Sequence, residues 1–177
     1  MLPEFPNVLL VGSNTRKTGK TSLISRIIET YGEKYSISAI KLAIYDNKDD
    51  LFSHYPEASD DGTFIIKEEK PGEEDSGKFM AAGAKKSWFI ATMQSQINQV
   101  IELLYEIKSA GGLAIVESTT LRNYILPGLF IFVQNKSTKE KAKNLRPLSD
   151  MEVETGSEDF ININNSICIE QDIWVFC

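Results

Sequence analysis

The residues with the strongest claim to chemistry lie in one short segment, residues 12–22, GSNTRKTGKTS. Gly19 lets the backbone approach an anion with no Cβ in the way. The amides of Lys20, Thr21 and Ser22 can point at the same anion, helped by the positive end of a helix dipole. Lys20 has the reach to meet the β and γ phosphates of a nucleotide, and the Thr21 hydroxyl is a hard oxygen donor suited to Mg²⁺. Asn14, Thr15, Arg16, Lys17 and Thr18 complete the loop as further phosphate contacts. Arg16 and Lys17 bring extra positive charge, which either touches phosphate, completes a partner's site as an arginine finger does, or faces solvent.

The spacing departs from the strict phosphate-loop pattern G-x-x-x-x-G-K-[ST]. Its first glycine belongs at position 14, which is Asn14, and Gly12 comes two residues early. Asn tolerates a left-handed backbone, so the loop is expected to close there without glycine.

A nucleotide site using Mg²⁺ also needs carboxylates near the C-terminal ends of neighbouring strands. Asp46, Asp75 and Glu117 meet that requirement, and with Thr21 they form the expected metal set. Glu117 or Asp46 would hold Mg²⁺ through water or orient an attacking group, acting catalytically alongside Lys20. Asp75 has an alternative role as the N-cap of a helix. The acidic run Glu68, Glu69, Glu73 and Glu74 reads as a solvated loop rather than a metal cage.

These groups need elements to hold them. Residues 7–11, NVLLV, form an apolar run of the kind covered on both faces in a parallel sheet. After the loop, Leu23, Ile24, Ile27, Ile28 and Tyr31 recur at helical spacing, and Gly32 ends the pattern. Residues 35–44 predict a second strand running into Tyr45 and Asp46, and residues 47–61 a long polar loop. Short strands are expected at 63–66 and 87–92, with a short helix at 75–84 between them. Met93, Ile97, Val100, Ile101, Leu104 and Ile107 form the apolar stripe of a further helix. Strands follow at 113–116 and 129–133, a helix at 139–145, and late strands at 160–163 and 173–176. Alternating strands and helices give an α/β class: one domain over residues 1–177, a three-layer P-loop NTPase fold with a largely parallel central sheet.

Composition narrows the function classes. With 25 acidic residues against 19 basic ones, net charge −6, the chain has no basic surface for nucleic acid. Lys139, Lys141 and Lys143 read as a solvated helix face. Cys168, Cys177 and the single histidine, His54, do not make a zinc site. Read as reduced thiols with no leader before them, the two cysteines predict a cytoplasmic protein. The longest apolar runs are too short to cross a bilayer, so no membrane partner is expected.

Four stretches taken together resemble the molybdopterin-guanine dinucleotide biosynthesis protein B family and its P-loop relatives. They are GKTSLI at 19–24, AIK at 39–41 running into Asp46, PGEEDSGKFMAAGA at 71–84, and IVE at 115–117 followed by LPGLFIFV at 126–133. The block with Asp75, Ser76 and the following Ala82, Gly83 and Ala84 is the most specific. The resemblance implies a protein that binds, and hydrolyses, GTP or ATP with Mg²⁺. It implies a homodimer assisting a cofactor-biosynthesis enzyme, with Lys20 and Thr21 as phosphate and Mg²⁺ residues and Asp46, Asp75 and Glu117 as site carboxylates. The chain departs from the family where histidines would follow Lys41, and where a guanine-reading N-K-x-D box starting at Asn135 would need aspartate in place of Thr138.

Three functions stay open on the sequence. The first is an accessory NTPase in molybdopterin-type cofactor assembly. The second is a small-molecule kinase with an acceptor pocket built from the acidic loop and residues 118–122, and a lid at 47–72. The third is a nucleotide-sensing adaptor presenting Tyr124, Ile125 and Leu126 to a partner.

Overall fold

The computed structural model describes residues 1–135 and 144–177. Most of the expected 139–145 helix, the face with Lys139, Lys141 and Lys143, and Thr138 lie outside the described residues. Strand β1 (Glu4–Ser13) leads through a loop into helix α1 (Lys20–Tyr31), and β2 (Ile37–Tyr45) follows. Next come α2 (Lys48–His54), β3 (Thr63–Lys67), α3 (Asp75–Ala81), β4 (Lys86–Met93), α4 (Ile97–Ser109), β5 (Leu113–Glu117) and β6 (Leu126–Gln134). The chain ends with β7 (Met151–Glu154), α5 (Glu158–Ile161), β8 (Ile167–Glu170) and β9 (Ile173–Phe176).

Seven strands form one sheet in the order β3-β4-β2-β5-β1-β6-β7, and β8 pairs with β9 in a separate hairpin. All neighbours in the large sheet are parallel except β3, which runs antiparallel to β4 at one edge. The α/β class and the largely parallel sheet are therefore as the sequence predicts.

The sheet is covered on both faces, which is why its inner strands are apolar throughout. Leu23, Ile24, Ile27 and Ile28 of α1 and Phe79 of α3 pack with Leu9, Val11, Ala39 and Ile115 on one face. Ile97, Val100, Leu104 and Ile107 of α4 pack with Leu10, Ile40, Val116 and Phe132 on the other. The expected stripe is core on α4 from Ile97 onward, but Met93 ends β4 and packs with Leu51 and Ala91 instead, and Gln94–Gln96 form a 3₁₀ turn ahead of the helix.

Several expectations need correction. The segment read as a long loop from residue 47 contains α2, started by Asn47, whose side chain accepts from the Asp50 amide at 2.8 Å. Local capping, with Asp49 and Asp50 in the first turn, outweighs the polar composition. Tyr55 stacks on Phe64 with centroids 5.0 Å apart, so residues 47–67 include a packed helix and an edge strand. The late strand expected at 160–163 is instead α5 followed by a 3₁₀ turn, because Ser157 caps the Phe160 amide. Tyr124, Ile125 and Leu126 are not an exposed apolar patch: Ile125 is fully buried and Tyr124 packs against the α4 side of the core.

The cysteines are the clearest correction. Cys168 and Cys177 form a disulfide, with Cα atoms 5.4 Å apart. Cys168 lies opposite Val175 in the hairpin, and Cys177 is two residues further along, so both side chains fall on the same face. The reading of two reduced thiols, and the compartment inferred from it, therefore does not stand on this pairing. Among the described residues no helix is long and apolar enough to cross a membrane.

The bridge closes nine positions of chain, which by chain entropy is worth about 2–3 kcal/mol. Replacing both cysteines by serine is expected to lower unfolding free energy by about that amount in urea titration. Unreduced protein should show no thiol reactive to a chromogenic disulfide reagent until denatured with reductant.

Candidate functional site

Three parallel strands bring the site together at their C-terminal ends. Val11 of β1 and Lys41 of β2 are both in register with Glu117 of β5. Side chains alternate along a strand, so Val11, Lys41 and Glu117 fall on the same face of the sheet as α1 and α3. The loop after β1 turns over this face. Lys20 begins α1, and Gly19 precedes it in the left-handed conformation at φ 83°. A Cβ on Gly19 would come within 3.0 Å of the Phe160 ring, so glycine is required there both for φ and for space.

The loop's left-handed non-glycine residue is Lys17, at φ 57°, and not Asn14. Asn14 is buried instead, and its Oδ1 has no hydrogen-bond partner. Gly12 has a separate reason: a Cβ there would lie 2.9 Å from the Phe130 ring and 3.0 Å from Thr119. The Ser13 amide donates to the Thr119 hydroxyl at 2.8 Å, and that hydroxyl donates back to the Ser13 carbonyl at 3.0 Å, tying the loop to the chain after β5.

Lys20 folds back across the loop. Its Nζ donates to Ser13 Oγ at 2.6 Å and lies 3.4 Å from Thr18 Oγ1 and 3.5 Å from the Thr15 carbonyl. The Thr18 carbonyl accepts from Thr155 Oγ1 at 2.7 Å, so β7 and its following turn brace the loop from behind. Arg16, Lys17 and Ser22 are exposed. No side chain caps the first turn of α1 and no acidic residue sits in it, so the positive helix end stays open toward the loop.

Glu117 is 3% exposed and carries most of the site's contacts. Thr21 donates to its Oε2 at 3.2 Å, and Lys20 Nζ lies 3.9 Å from its Oε1. The same Oε1 takes a short hydrogen bond from Lys41. Lys41 also pairs with Asp75 Oδ2 at 3.1 Å, so one ammonium bridges the two carboxylates. Asp75 is therefore not the N-cap of α3; that position is Glu74, and Asp75 turns inward from the first helical residue. Its placement is fixed by Ser76, whose buried hydroxyl donates to Glu68 at 2.5 Å and whose carbonyl accepts from Ser87 at 2.7 Å. Gly72 also packs so closely on Gly77 that a Cβ on Gly77 would lie 2.8 Å away.

The structure thus joins Lys20, Thr21, Asp75 and Glu117 of the expected set. It leaves Asp46 exposed beyond the end of β2, without a hydrogen bond or ion pair among the described residues. Lys41 is the site residue that sequence reasoning misses. A signal for it exists, because Lys41 is the lone charge in the strand ISAIKLAIY and pairs in register with a carboxylate.

Burial pulls the Lys20 ammonium below its ordinary value, with Lys41 adding to the effect and Glu117 opposing it. Burial acts the same way on Lys41, but the Glu117 and Asp75 carboxylates together outweigh it and leave Lys41 raised. Burial pushes the Asp75 carboxyl up, yet Lys41, with smaller contributions from Thr21 and Lys78, brings it below the usual value of 3.8. The 118–122 part of the expected acceptor pocket is filled: Ser118 is buried, with its amide on the Val11 carbonyl at 3.0 Å, and Arg122 donates to the Ile125 carbonyl at 3.2 Å. A shallow groove of about 430 Å³ opens instead between α1 and α3, lined by Thr21, Ser22, Ser25, Arg26 and Lys78 among others.

Mg²⁺ takes oxygen ligands and usually keeps several waters, resting on one or two carboxylates plus substrate phosphates. Thr21, Glu117 and Asp75 supply that kind of donor set within one cluster. Among the described residues no three His, Cys, Asp or Glu side chains form a self-sufficient metal cage, so phosphate oxygens would be needed to complete one. Compared with known proteins, the chain matches no family model, no curated protein and no solved structure.

The Asp75–Lys41 pair gives a signed pH expectation. A depressed folded-state carboxyl contributes stability that is present above its unfolded value and lost as pH falls through its folded value. Unfolding free energy should therefore drop as pH is lowered below 3.8. Asp75→Asn should flatten this part of the acid limb in urea titrations between about pH 5 and pH 2. The contribution is discounted for exposure, since the Asp75 side chain is 37% accessible.

Proposed function

We propose that this chain binds a nucleoside triphosphate, with Mg²⁺, on the loop that ends at Gly19 and Lys20, and hydrolyses it slowly as an accessory factor. The observation that carries this reading is the position of Lys20. It occupies the first residue of an uncapped helix, after a left-handed glycine, with its ammonium folded back over the loop onto Ser13 and Thr18. An ammonium held there replaces contacts to loop oxygens by contacts to β and γ phosphates. The amides of Lys20, Thr21 and Ser22 face the same position at the positive helix end.

Thr21 and Glu117, with Asp75 behind them, would hold Mg²⁺, which when bound neutralises charge on the β and γ oxygens. Alternatively Glu117 would orient the attacking water, and in either case Lys20 would stabilise charge on the transferred group. Asn14, Thr15, Thr18 and Ser22 would shape the loop around the phosphates, with Arg16 and Lys17 exposed at its rim. Asp46 lies outside this cluster and would reach it only through movement of the β2–α2 turn. The resemblance to the molybdopterin-guanine dinucleotide biosynthesis protein B family supports placing the activity in cofactor assembly, as a homodimer beside a cofactor-biosynthesis enzyme.

A second reading, a small-molecule kinase, is favoured by the groove between α1 and α3. It begins at Thr21, beside Glu117, and offers Arg26, Lys78 and serine hydroxyls to an acceptor. Transfer of label from γ-labelled ATP to a small molecule, instead of release as phosphate, separates it from hydrolysis.

Fluorescent ATP and GTP analogues with Mg²⁺ are expected to bind saturably to the wild type. Lys20→Ala should weaken binding by at least about tenfold, roughly 1.4 kcal/mol. Equal binding by the variant, or none by the wild type, removes the phosphate-loop reading, and the better-bound base separates a GTP-linked role from an ATP-linked one.

A further inference from the structure

We infer that Lys41 is the resident cation of the carboxylate pair, holding Asp75 and Glu117 until a divalent cation arrives with the nucleotide. The inference deepens the proposed function and rests on it. Lys41 Nζ touches one oxygen of Glu117 and lies 3.1 Å from Asp75 Oδ2, while the other Glu117 oxygen takes the Thr21 hydroxyl at 3.2 Å. These are the oxygens a nucleotide-linked Mg²⁺ would use, and one ammonium already joins two of them.

The arrangement has a physical reason. Glu117 is 3% exposed, and a carboxylate that deep needs a counter-charge whether or not a ligand is bound. Lys20 is too far away to supply it alone, at 3.9 Å, and is engaged with Ser13. Lys41 comes from the adjacent strand in register with Glu117, so the counter-charge is built into the sheet and needs no ligand.

Lys41 is also able to leave. Its side chain is 26% exposed, and four methylenes give its ammonium an arc over the loop side of the sheet. When a divalent cation takes the carboxylate oxygens, Lys41 is displaced as a free positive charge next to the loop, where a phosphate is its nearest anionic partner. Metal and nucleotide thereby favour each other through one side chain: the metal frees Lys41 for phosphate, and phosphate draws Lys41 off the carboxylates. Such coupling is reciprocal. Lys41 acts here as a positioning residue that sets the order of metal and nucleotide binding.

The test is titration of full-length protein with Mn²⁺ alone, read by the loss of the free-ion EPR signal. Wild type, Lys41→Met and Lys41→Arg are compared, each with and without a saturating non-hydrolysable triphosphate analogue. Without nucleotide, Lys41→Met should bind Mn²⁺ at least about fivefold more tightly than wild type. Lys41→Arg, with its planar fork fixed on the carboxylates, should bind it more weakly. The nucleotide should raise Mn²⁺ affinity more in wild type than in Lys41→Met.

Equal Mn²⁺ affinity in all three proteins, or an unchanged nucleotide effect in Lys41→Met, overturns the inference. If Lys41→Met does not fold, Lys41→Arg decides: weaker Mn²⁺ binding than wild type supports the role, and equal or tighter binding overturns it. Nucleotide binding that depends on Lys20, together with equal metal affinities, would leave the phosphate-loop reading standing and remove only the role of Lys41.

Discussion

Glu117 sets the constraint around which the functional end of the sheet is arranged. A carboxylate 3% exposed at the end of a central strand has lost most of its hydration, and protein groups must replace it. Three different elements answer that need: Lys41 from β2, Thr21 from the first turn of α1, and Lys20 at a longer distance. Each depends on register. Slipping β2 by one residue would turn Lys41 to the α4 face and bring Ile40 or Leu42 to Glu117. Starting α1 one residue later would rotate Thr21 by about 100° away from the strand ends. The parallel order β2-β5-β1 and the loop length between β1 and α1 are therefore coupled to the charge state of one side chain.

The C-terminal segment belongs to the same construction. Thr155 donates to the Thr18 carbonyl, Phe160 fills the space beside Gly19, and Asn164 donates to Thr30 on the far half of α1 at 2.7 Å. Tyr31, at the end of α1, donates to the Ile167 carbonyl at 2.6 Å and meets Trp174 edge-on. Residues 155–174 thus run along α1 from its first turn to its last. The side chain missing at Gly19 is the opening that Phe160 occupies, so the glycine that shapes the loop also docks the end of the chain. The disulfide pins the hairpin that carries Trp174 into this contact.

What is legible in the sequence follows from which signals are local. The apolar run before the loop and the 3.6-residue stripe after it determine a strand, a turn and a helix with little help from elsewhere, and β1 and α1 lie where those patterns place them. Glu117 is legible because packing alone gives no reason for a carboxylate at the end of an all-apolar strand. The same rule points to Asp46 and fails there, because β2 ends at Tyr45 and the chain turns away into α2. Lys41 escapes a reading of the sequence because its meaning is non-local. Only the pairing of β2 with β5 puts it beside Glu117, 76 positions further along the chain. Of the C-terminal strands, β9 lies where one is expected, at 173–176, while β7 and β8 are missed. They are four residues long, too short for a clear period, and their position depends on contacts with α1 and on a disulfide that cysteine count alone does not disclose.

Charge balance accounts for why the loop, rather than the cluster beneath it, meets an incoming anion. Lys20 and Lys41 face Asp75 and Glu117, so the inner set is two cations against two anions and is close to neutral. The whole chain carries −6, which repels polyanions at long range, but that field is screened within about 8–10 Å at physiological salt. Closer in, the field is local. It comes from the uncapped first turn of α1 and from the exposed Arg16 and Lys17 on the loop. A phosphate arriving there meets positive potential at the rim, while the ion pairs below it keep Glu117 and Asp75 from cancelling that potential. Without Lys41 the same loop would sit above two carboxylates opposed by Lys20 alone, at 3.9 Å from Glu117, and the net negative charge nearest the phosphates would come from the protein itself.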